Sequence, residues 1–173
     1  MEKYIPDVYQ KSIYAIDYSK LKENGIKCLL FDLDNTLAPY SIKNADEKLV
    51  ELFSHLKEMG FQVIIFSNRF KKRVKPFKEE LEVDCCANAR KPHPKHFTRI
   101  LKEYRLAENE VAIIGDQIMT DIVGGNKVGI TTILVNPISL REPFWTKPNR
   151  FLEKRVMKKL NNHDLFFKGR YYE

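Results

Sequence analysis

Cysteine is scarce in this 173-residue chain. There are 3, with no Cys-x-x-Cys pair, which excludes a disulfide framework and leaves no thiolate set for zinc. Cys85 and Cys86 are neighbours and awkward to bridge to each other. With Cys28, they read as small hydrophobes of the interior. No apolar run approaches the ~20 residues that span a bilayer. The N-terminus also lacks the apolar core of a signal peptide, so a cytoplasmic location is expected. Repeats, low-complexity tracts and linker-like stretches are missing too. The expectation is one domain over residues 1–173, with a core at about 26–136 and a tail at 137–173.

What the chain does have is positive charge, unevenly placed. The formal net charge is +7. Residues 69–105 carry 12 Lys/Arg against 5 Asp/Glu, and residues 141–173 carry 9 against 4. The remainder is net acidic. Two cationic regions in an ordinary globular composition favour anionic partners, or else form solvated faces that keep the protein soluble.

The middle of the chain alternates short apolar runs with helical patterns. Five runs have strand character: Cys28–Asp32, Phe61–Phe66, the weaker Val83–Ala87, Val111–Ile114 and Ile130–Val135. They are near-continuously apolar, as strands buried on both faces are. Between them, Leu49, Leu52, Phe53 and Leu56 mark a helix from about Asp46 to Met59, stopped by Gly60. A second helix, entered through Pro94, carries Phe97, Ile100, Leu101 and Tyr104 on one face. This rhythm predicts an α/β fold: a doubly wound, Rossmann-like parallel sheet of five strands with helices on both faces.

In such sheets the ligand lies at the carboxyl ends of the strands, so reactive residues should follow the apolar runs. They do. The first strand leads into Asp32-Leu33-Asp34-Asn35-Thr36, and the second into Ser67-Asn68. The third is followed by Arg90-Lys91-Pro92, where the proline holds Lys91 out of a helix on a loop at the rim. The fourth ends in Gly115-Asp116, with Asp121 five residues on. Asp32 and Asp34 on one side of an extended segment repel each other unless a cation intervenes. Several carboxylates with a lysine and a hydroxyl, and no thiolate–histidine set, suit Mg²⁺. Ser67 and Asn68 offer a hydroxyl and an amide to phosphate oxygens.

Taken in order, Asp32-x-Asp34-x-Thr36, Ser67, Lys91 and Gly115-Asp116-x-x-x-x-Asp121 resemble the four motifs of the haloacid dehalogenase (HAD) superfamily. The resemblance implies a magnesium-dependent phosphatase acting on a phosphomonoester. Asp32 is then the nucleophile, passing through an aspartyl phosphate. Asp34 is the general acid and then the base. Ser67 and Lys91 hold phosphoryl oxygens, with Asn68 beside them, and Thr36 joins this group by steadying the loop after Asp32. The metal falls to Asp32, Asp116 and the backbone carbonyl of Asp34, with Asp121 in support. An acid at position 34 goes with phosphatases and speaks against dehalogenation. Only 31 positions separate Thr36 from Ser67, and 24 separate Ser67 from Lys91. Neither interval holds a cap domain, so the likeness is to the capless subclass IIIA. Tyr4-Ile-Pro6-Asp-Val-Tyr9 leading to Ile26–Leu37 resembles the YqeG-type group, related to phosphatidylglycerophosphate phosphatases.

Three features stand apart. His93 and His96, at a helix entry, are either substrate contacts or ordinary surface histidines. Gly124-Gly125-Asn126 reads as a break after a short helix. In the tail, Leu152, Val156 and Leu160 form a narrow stripe flanked by Arg150, Lys154, Arg155, Lys158 and Lys159. It is either a membrane-surface helix over 150–160, with Phe144-Trp145 at the interface, or a helix docked on the sheet. The functional expectation is a phosphatase, with phosphatidylglycerophosphate as the named lipid substrate. The alternatives are a soluble sugar or nucleotide phosphate, a nucleic-acid end, or an RNA-associated binding protein with incidental hydrolysis. Nucleic acid has the thinner case, because few aromatics interleave the basic runs.

Overall fold

The structure, a computed structural model, describes residues 1–173. Its twelve main elements are β1 (Val8–Gln10), α1 (Tyr18–Glu23), β2 (Cys28–Phe31), α2 (Glu47–Glu58), β3 (Gln62–Phe66), α3 (Lys71–Leu81), β4 (Asp84–Cys86), α4 (Lys95–Glu103), β5 (Val111–Gly115), α5 (Val123–Val128), β6 (Thr131–Val135) and α6 (Lys147–Asn162). All the strands pair in parallel, in the order β1-β6-β5-β2-β3-β4.

The expected doubly wound α/β architecture is present, with six strands where five were read. The extra strand, β1, is three residues long and pairs Val8–Gln10 with Ile133–Val135. It shows no apolar run, which is why a pattern search passes it over. Tyr9 is nonetheless buried, and its hydroxyl donates to Asn136 Oδ1 at 2.6 Å. The open edge of β1 is covered by the chain's end. Tyr9 and Tyr172 exchange backbone hydrogen bonds of 2.8 and 2.9 Å in an antiparallel bridge, so this edge offers little for another strand to pair with.

Alternation along the strands sorts the core. Leu29, Phe31, Val63, Ile65, Ala112 and Ile114 face α1, α2 and α3. Cys28, Leu30, Ile64, Phe66 and Ile113 face α4. The cysteines are free, with Cys28 and Cys86 buried among apolar neighbours. Asp46 caps α2 by accepting from Leu49 N at 2.8 Å, and Gly60 turns the chain out of it at φ +94°, as the periodicity predicts.

Gly124 and Gly125 do not break a helix; they lie inside α5, buried. A Cβ at Gly124 would stand 2.8 Å from the Phe97 ring, and one at Gly125 would stand 2.5 Å from Thr132 Cγ2. Close packing of α5 on α4 and β6 therefore requires both.

The tail returns to the sheet. On α6, Leu160 is buried and Val156 and Met157 pack beside it on Tyr9, Ile118, Ile122, Leu134 and Phe166, while Leu152 stays exposed. The seam is thus turned from the expected Leu152/Val156/Leu160 stripe toward Val156, Met157 and Leu160. No helix is long and apolar enough to cross a membrane.

From β2 the chain winds outward through β3 and β4, then jumps back across β2 to β5 and β6. The strand order therefore reverses between β2 and β5. That reversal opens a crevice where the loops after the two strands diverge.

Candidate active site

Both loops at this reversal carry carboxylates. Asp32 directly follows β2, and its N–H bonds Ile114 O of β5 at 2.9 Å. Asp116 directly follows β5, and Asp121 lies on the π-helical turn Ile118–Ile122. Asp32, Asp116 and Asp121 each present a carboxylate oxygen, all within 4.8 Å of one another. Gly115 makes this approach possible, because a Cβ there would stand 2.1 Å from Asp121 Oδ2.

Lys91 reaches the same point from the loop after β4. Its ammonium donates to Asp121 Oδ1 at 2.7 Å, Asp32 Oδ1 at 2.9 Å and Phe66 O at 2.8 Å. It is no rim lysine: only 2% of its side chain is exposed. Burial alone would lower its pKa, but the charges of Asp121 and Asp32 outweigh that and hold it above the ordinary lysine range. The Thr36 hydroxyl stands 3.1 Å from Asp116 Oδ1 and 3.3 Å from Asp32 Oδ2. It thus joins two of the three carboxylates.

Two cations, Lys91 on Asp32 and Asp121 and Arg150 on Asp116, face three carboxylates. Burial first, and then the charge of Asp32, push the Asp116 carboxyl well above its ordinary range. Burial likewise pushes Asp121 up, against the pull of Lys91. A divalent cation relieves that strain. The donors are all carboxylate oxygens, which fits a hard ion. Asp121 belongs to this group by its side chain. The side chain of Asp34 does not, since it turns toward arginines.

Asp34 Oδ2 accepts from Arg69 Nη1 at 2.7 Å, and Oδ1 accepts from Arg73 Nη2 and Nε at 2.8 and 3.0 Å. Arg73 is largely covered, while Arg69 keeps 31% of its side chain exposed. Ser67 is buried, and its hydroxyl accepts from Arg69 N at 3.1 Å. The Asn68 amide clasps Lys91, accepting from its N at 2.7 Å and donating to its O at 3.0 Å. Asn68 therefore fixes the loop that delivers the lysine. His93 turns inward on its own helix start, accepting from Lys95 N at 3.2 Å.

A cleft of ≈ 470 Å³ opens over Asp32, Asp34, Ser67 and Lys91, with Phe70 and Trp145 on its walls. Asp116 and Asp121 lie beneath it with side chains fully covered, whereas Asp32 keeps 13% of its side chain exposed. Of the three clustered carboxylates, Asp32 is the one that meets the cleft.

Several residues here escaped the sequence reading. In the sequence Arg69 and Arg73 show only as charge, although they lie one helical turn apart just after Ser67-Asn68. Arg150, grouped with the cations of an amphipathic helix, donates from Nη2 to Asp116 Oδ2 at 2.5 Å. No local pattern distinguishes it from Lys154 or Lys158. Asn35, at φ 61°, holds segment 138–139 through its side chain and backbone.

Comparison with known proteins agrees with this geometry. Residues 88–137 match the family model described as HAD-hyrolase-like. The chain is 41% identical over 157 residues to the probable phosphatase YqeG of Bacillus subtilis, covering 91% of each. It is 29% identical to the chloroplastic/mitochondrial phosphatidylglycerophosphate phosphatase 1 of Arabidopsis thaliana, covering 90% of this chain and 47% of that one. A putative subfamily III A HAD hydrolase structure from Legionella pneumophila shares the fold, with TM-score 0.53, 21% identity and coverage of 70% and 72%. The ordered carboxylates, the buried lysine and the relationship across nearly the whole length thus converge: the chain belongs to the HAD superfamily, in the family of the YqeG phosphatase, and is a phosphoric monoester hydrolase.

Proposed function

We propose that the protein hydrolyses a phosphomonoester with Mg²⁺ through a phosphorylated Asp32, and that its substrate is an anionic lipid phosphate of the phosphatidylglycerophosphate kind. The observation that carries the first part is the lone opening of Asp32 onto the cleft. It faces the substrate space with Lys91 at 2.9 Å, while its two partner carboxylates lie covered behind it. Asp32, Asp116 and Asp121 would hold the ion, which lowers the charge repulsion between carboxylate and phosphate.

In this reading an Asp32 oxygen forms a bond to phosphorus as the bond to the leaving oxygen breaks, and Lys91 and Ser67 hold the phosphoryl oxygens. Asp34 gives the leaving oxygen its proton. It later takes one from the water that cleaves the aspartyl phosphate, releasing inorganic phosphate. Both Asp34 oxygens are engaged by arginines, so one must exchange a guanidinium for substrate. Arg69, the more exposed of the two and a lining residue of the cleft, is the one that yields.

The lipid assignment rests on the mouth of the cleft and on the plant relative. Phe70 and Phe144 are 74% and 75% exposed and Trp145 is 55% exposed. Phe144 packs on Trp145 with centroids 5.6 Å apart. Exposed aromatics at an open mouth mark an interaction surface, and Trp suits a bilayer interface. Lys154, Arg155, Lys158 and Lys159 remain on the exposed side of α6, available to anionic headgroups.

The test is phosphate release from phosphatidylglycerophosphate in anionic vesicles beside a short-chain soluble phosphate ester. Phe144→Ser combined with Lys154, Arg155, Lys158 and Lys159→Glu should cut vesicle hydrolysis by up to about 10³-fold, since four basic residues at ~1 kcal/mol each contribute ~4 kcal/mol at the surface. Hydrolysis of the soluble ester should persist. Equal rates on the two substrates in the wild type, unaffected by the charge reversal, would transfer the assignment to soluble phosphates.

A further inference from the structure

The tail reaches the metal-ligand cluster through one side chain. Arg150, on the second turn of α6, donates to the Asp116 carboxylate from Nη2 at 2.5 Å and to the Asp116 carbonyl from Nη1 at 3.3 Å. The guanidinium is therefore forked across one residue. Its remaining N–H groups are taken up by the tail itself: Nε donates to both Glu142 oxygens at 2.8 and 2.9 Å, and Nη1 stands 3.4 Å from Glu153. Only 18% of the Arg150 side chain is exposed.

The two glutamates extend the grip. Glu153 Oε2 accepts from Ile118 N at 3.2 Å, two residues beyond Asp116. Glu142 accepts from Asn35 Nδ2 at 3.3 Å, beside Asp34 and Thr36. Asn35 in turn accepts from Ile138 N through its backbone at 3.0 Å. The tail thus holds the loop after β2 and the loop after β5 together, and Arg150 is where it meets a carboxylate of the cluster.

We infer that Arg150 is a positioning residue that fixes the rotamer of Asp116 for the divalent cation, so that cation affinity depends on the docked tail. The inference rests on the reading of Asp116 as a cation ligand. One Asp116 oxygen is pinned by the guanidinium and the other faces Thr36 and Asp32, which leaves the carboxylate a single orientation. The charge of Arg150 is itself offset by Glu142 and Glu153. Its contribution is direction, and direction requires a planar fork that lysine lacks.

The opposite effect is also physical: a cation beside a ligand repels a metal ion. The two are separated by comparing Arg150→Lys with Arg150→Gln. Affinity is read from the Mg²⁺ dependence of the melting temperature, and independently from Mn²⁺ uptake measured by loss of the free-ion EPR signal. If orientation governs, both variants bind the ions about tenfold or more weakly, as loss of an outer partner of a metal ligand does. Arg150→Lys within twofold of wild type, or Arg150→Gln binding as tightly as wild type or more so, overturns the inference. Should either variant fail to fold, Glu142→Ala removes the brace on Nε and Nη2 while keeping the guanidinium. A loss of about threefold supports the inference, and unchanged affinity sinks it. Asp116→Asn is the control for the underlying reading. If that variant binds Mn²⁺ like wild type, the cation reading of the site falls, whatever Arg150 does.

Discussion

Two regions of the molecule bring a cation to the same three carboxylates, and they do so differently. The core supplies Lys91 on the loop after β4, clasped by Asn68 and enclosed by Asp32, Asp121 and Phe66 O. The tail supplies Arg150 on α6, held by Glu142 and Glu153 from its own sequence neighbourhood. The ammonium is part of the interior charge balance, so it cannot be removed without stranding carboxylates. The guanidinium is braced by Glu142 and Glu153 and is also the cation on the fully covered Asp116 carboxylate, so it can be altered without stranding a carboxylate only where its charge is kept. On the proposed reading Lys91 takes part in the chemistry, and Arg150 aligns Asp116.

The comparison breaks first at Asp32, the carboxylate that touches the core's lysine and meets the cleft. Asp32→Asn keeps the shape and loses the proposed nucleophile, so turnover should fall about 10³-fold or more. The same substitution should leave the tail docked, since α6 contacts Asp116 and not Asp32. Release of phosphate under single-turnover conditions checks the first claim, and near-wild-type melting checks the second. A variant with wild-type turnover would defeat the phosphoenzyme mechanism.

Lys91→Met sharpens the contrast further. It should lower turnover about 10²-fold, as loss of one preorganised donor does. It should also destabilise the metal-free protein by about 3–5 kcal/mol, because Asp32 and Asp121 lose their buried partner. Arg150→Lys, which keeps the charge, should show a much smaller loss of stability, with its main effect on cation affinity. Urea unfolding with and without Mg²⁺ measures both. Equal losses for the two variants would erase the distinction.

Within the tail, Leu160 and Leu152 differ by their docking. Leu160 is fully covered and Leu152 is 45% exposed. Leu160→Ala should cost about 2–4 kcal/mol, as large-to-small changes in a packed seam do. Leu152→Ala should stay within about 0.5 kcal/mol. Thermal unfolding of the pair decides it, and comparable losses would mean the helix is turned as the bare 3.6-residue stripe predicts.

That turn shows what the sequence conveys and what it does not. Asp32, Ser67 and Asp116 are legible because each follows a buried apolar strand, and a doubly wound sheet places such residues at one edge; Lys91, after the short and partly exposed β4, is legible through the proline that follows it. Asp121 is legible as a supporting residue but not as a member of the carboxylate cluster, since its approach depends on the missing Cβ of Gly115. Strand β1 was not legible: its three residues owe their pairing to β6 and to Tyr172 at the far end of the chain. Arg69, Arg73 and Arg150 looked like any solvated cations, because their partners lie 35, 39 and 34 positions away. Local periodicity carries no information at that range.

The smallest expected effect concerns pH and separates the buried carboxylates from the arginine that serves them. Asp116 and Asp121 have carboxyls raised by burial, Asp121 to about 7, and Glu153 is raised for the same reason. A raised carboxyl binds its proton more tightly in the folded chain than in the unfolded one, where the value is about 3.9–4.3. Metal-free stability is therefore greater on the acid side and declines as pH rises from about 4 through 7. Arg150 is held above the ordinary arginine range, where Glu142 and Asp116 outweigh its burial, and adds no slope in this window. His96, lowered by burial, opposes the trend below about pH 6.5, but the charges that act on it are Arg99, Lys95, Arg90 and His93 and not the clustered carboxylates, so it drops out of a comparison with and without metal. The quantity to read is therefore the rise in melting temperature on adding Mg²⁺. It should grow by a few degrees between pH 5.5 and pH 8, because the ion requires deprotonated ligands and relieves their repulsion. Arg150→Gln should reduce that rise at pH 8 while keeping its direction with pH. A Mg²⁺ effect that is flat or declines over this range would mean that the three carboxylates are not the group the cation binds.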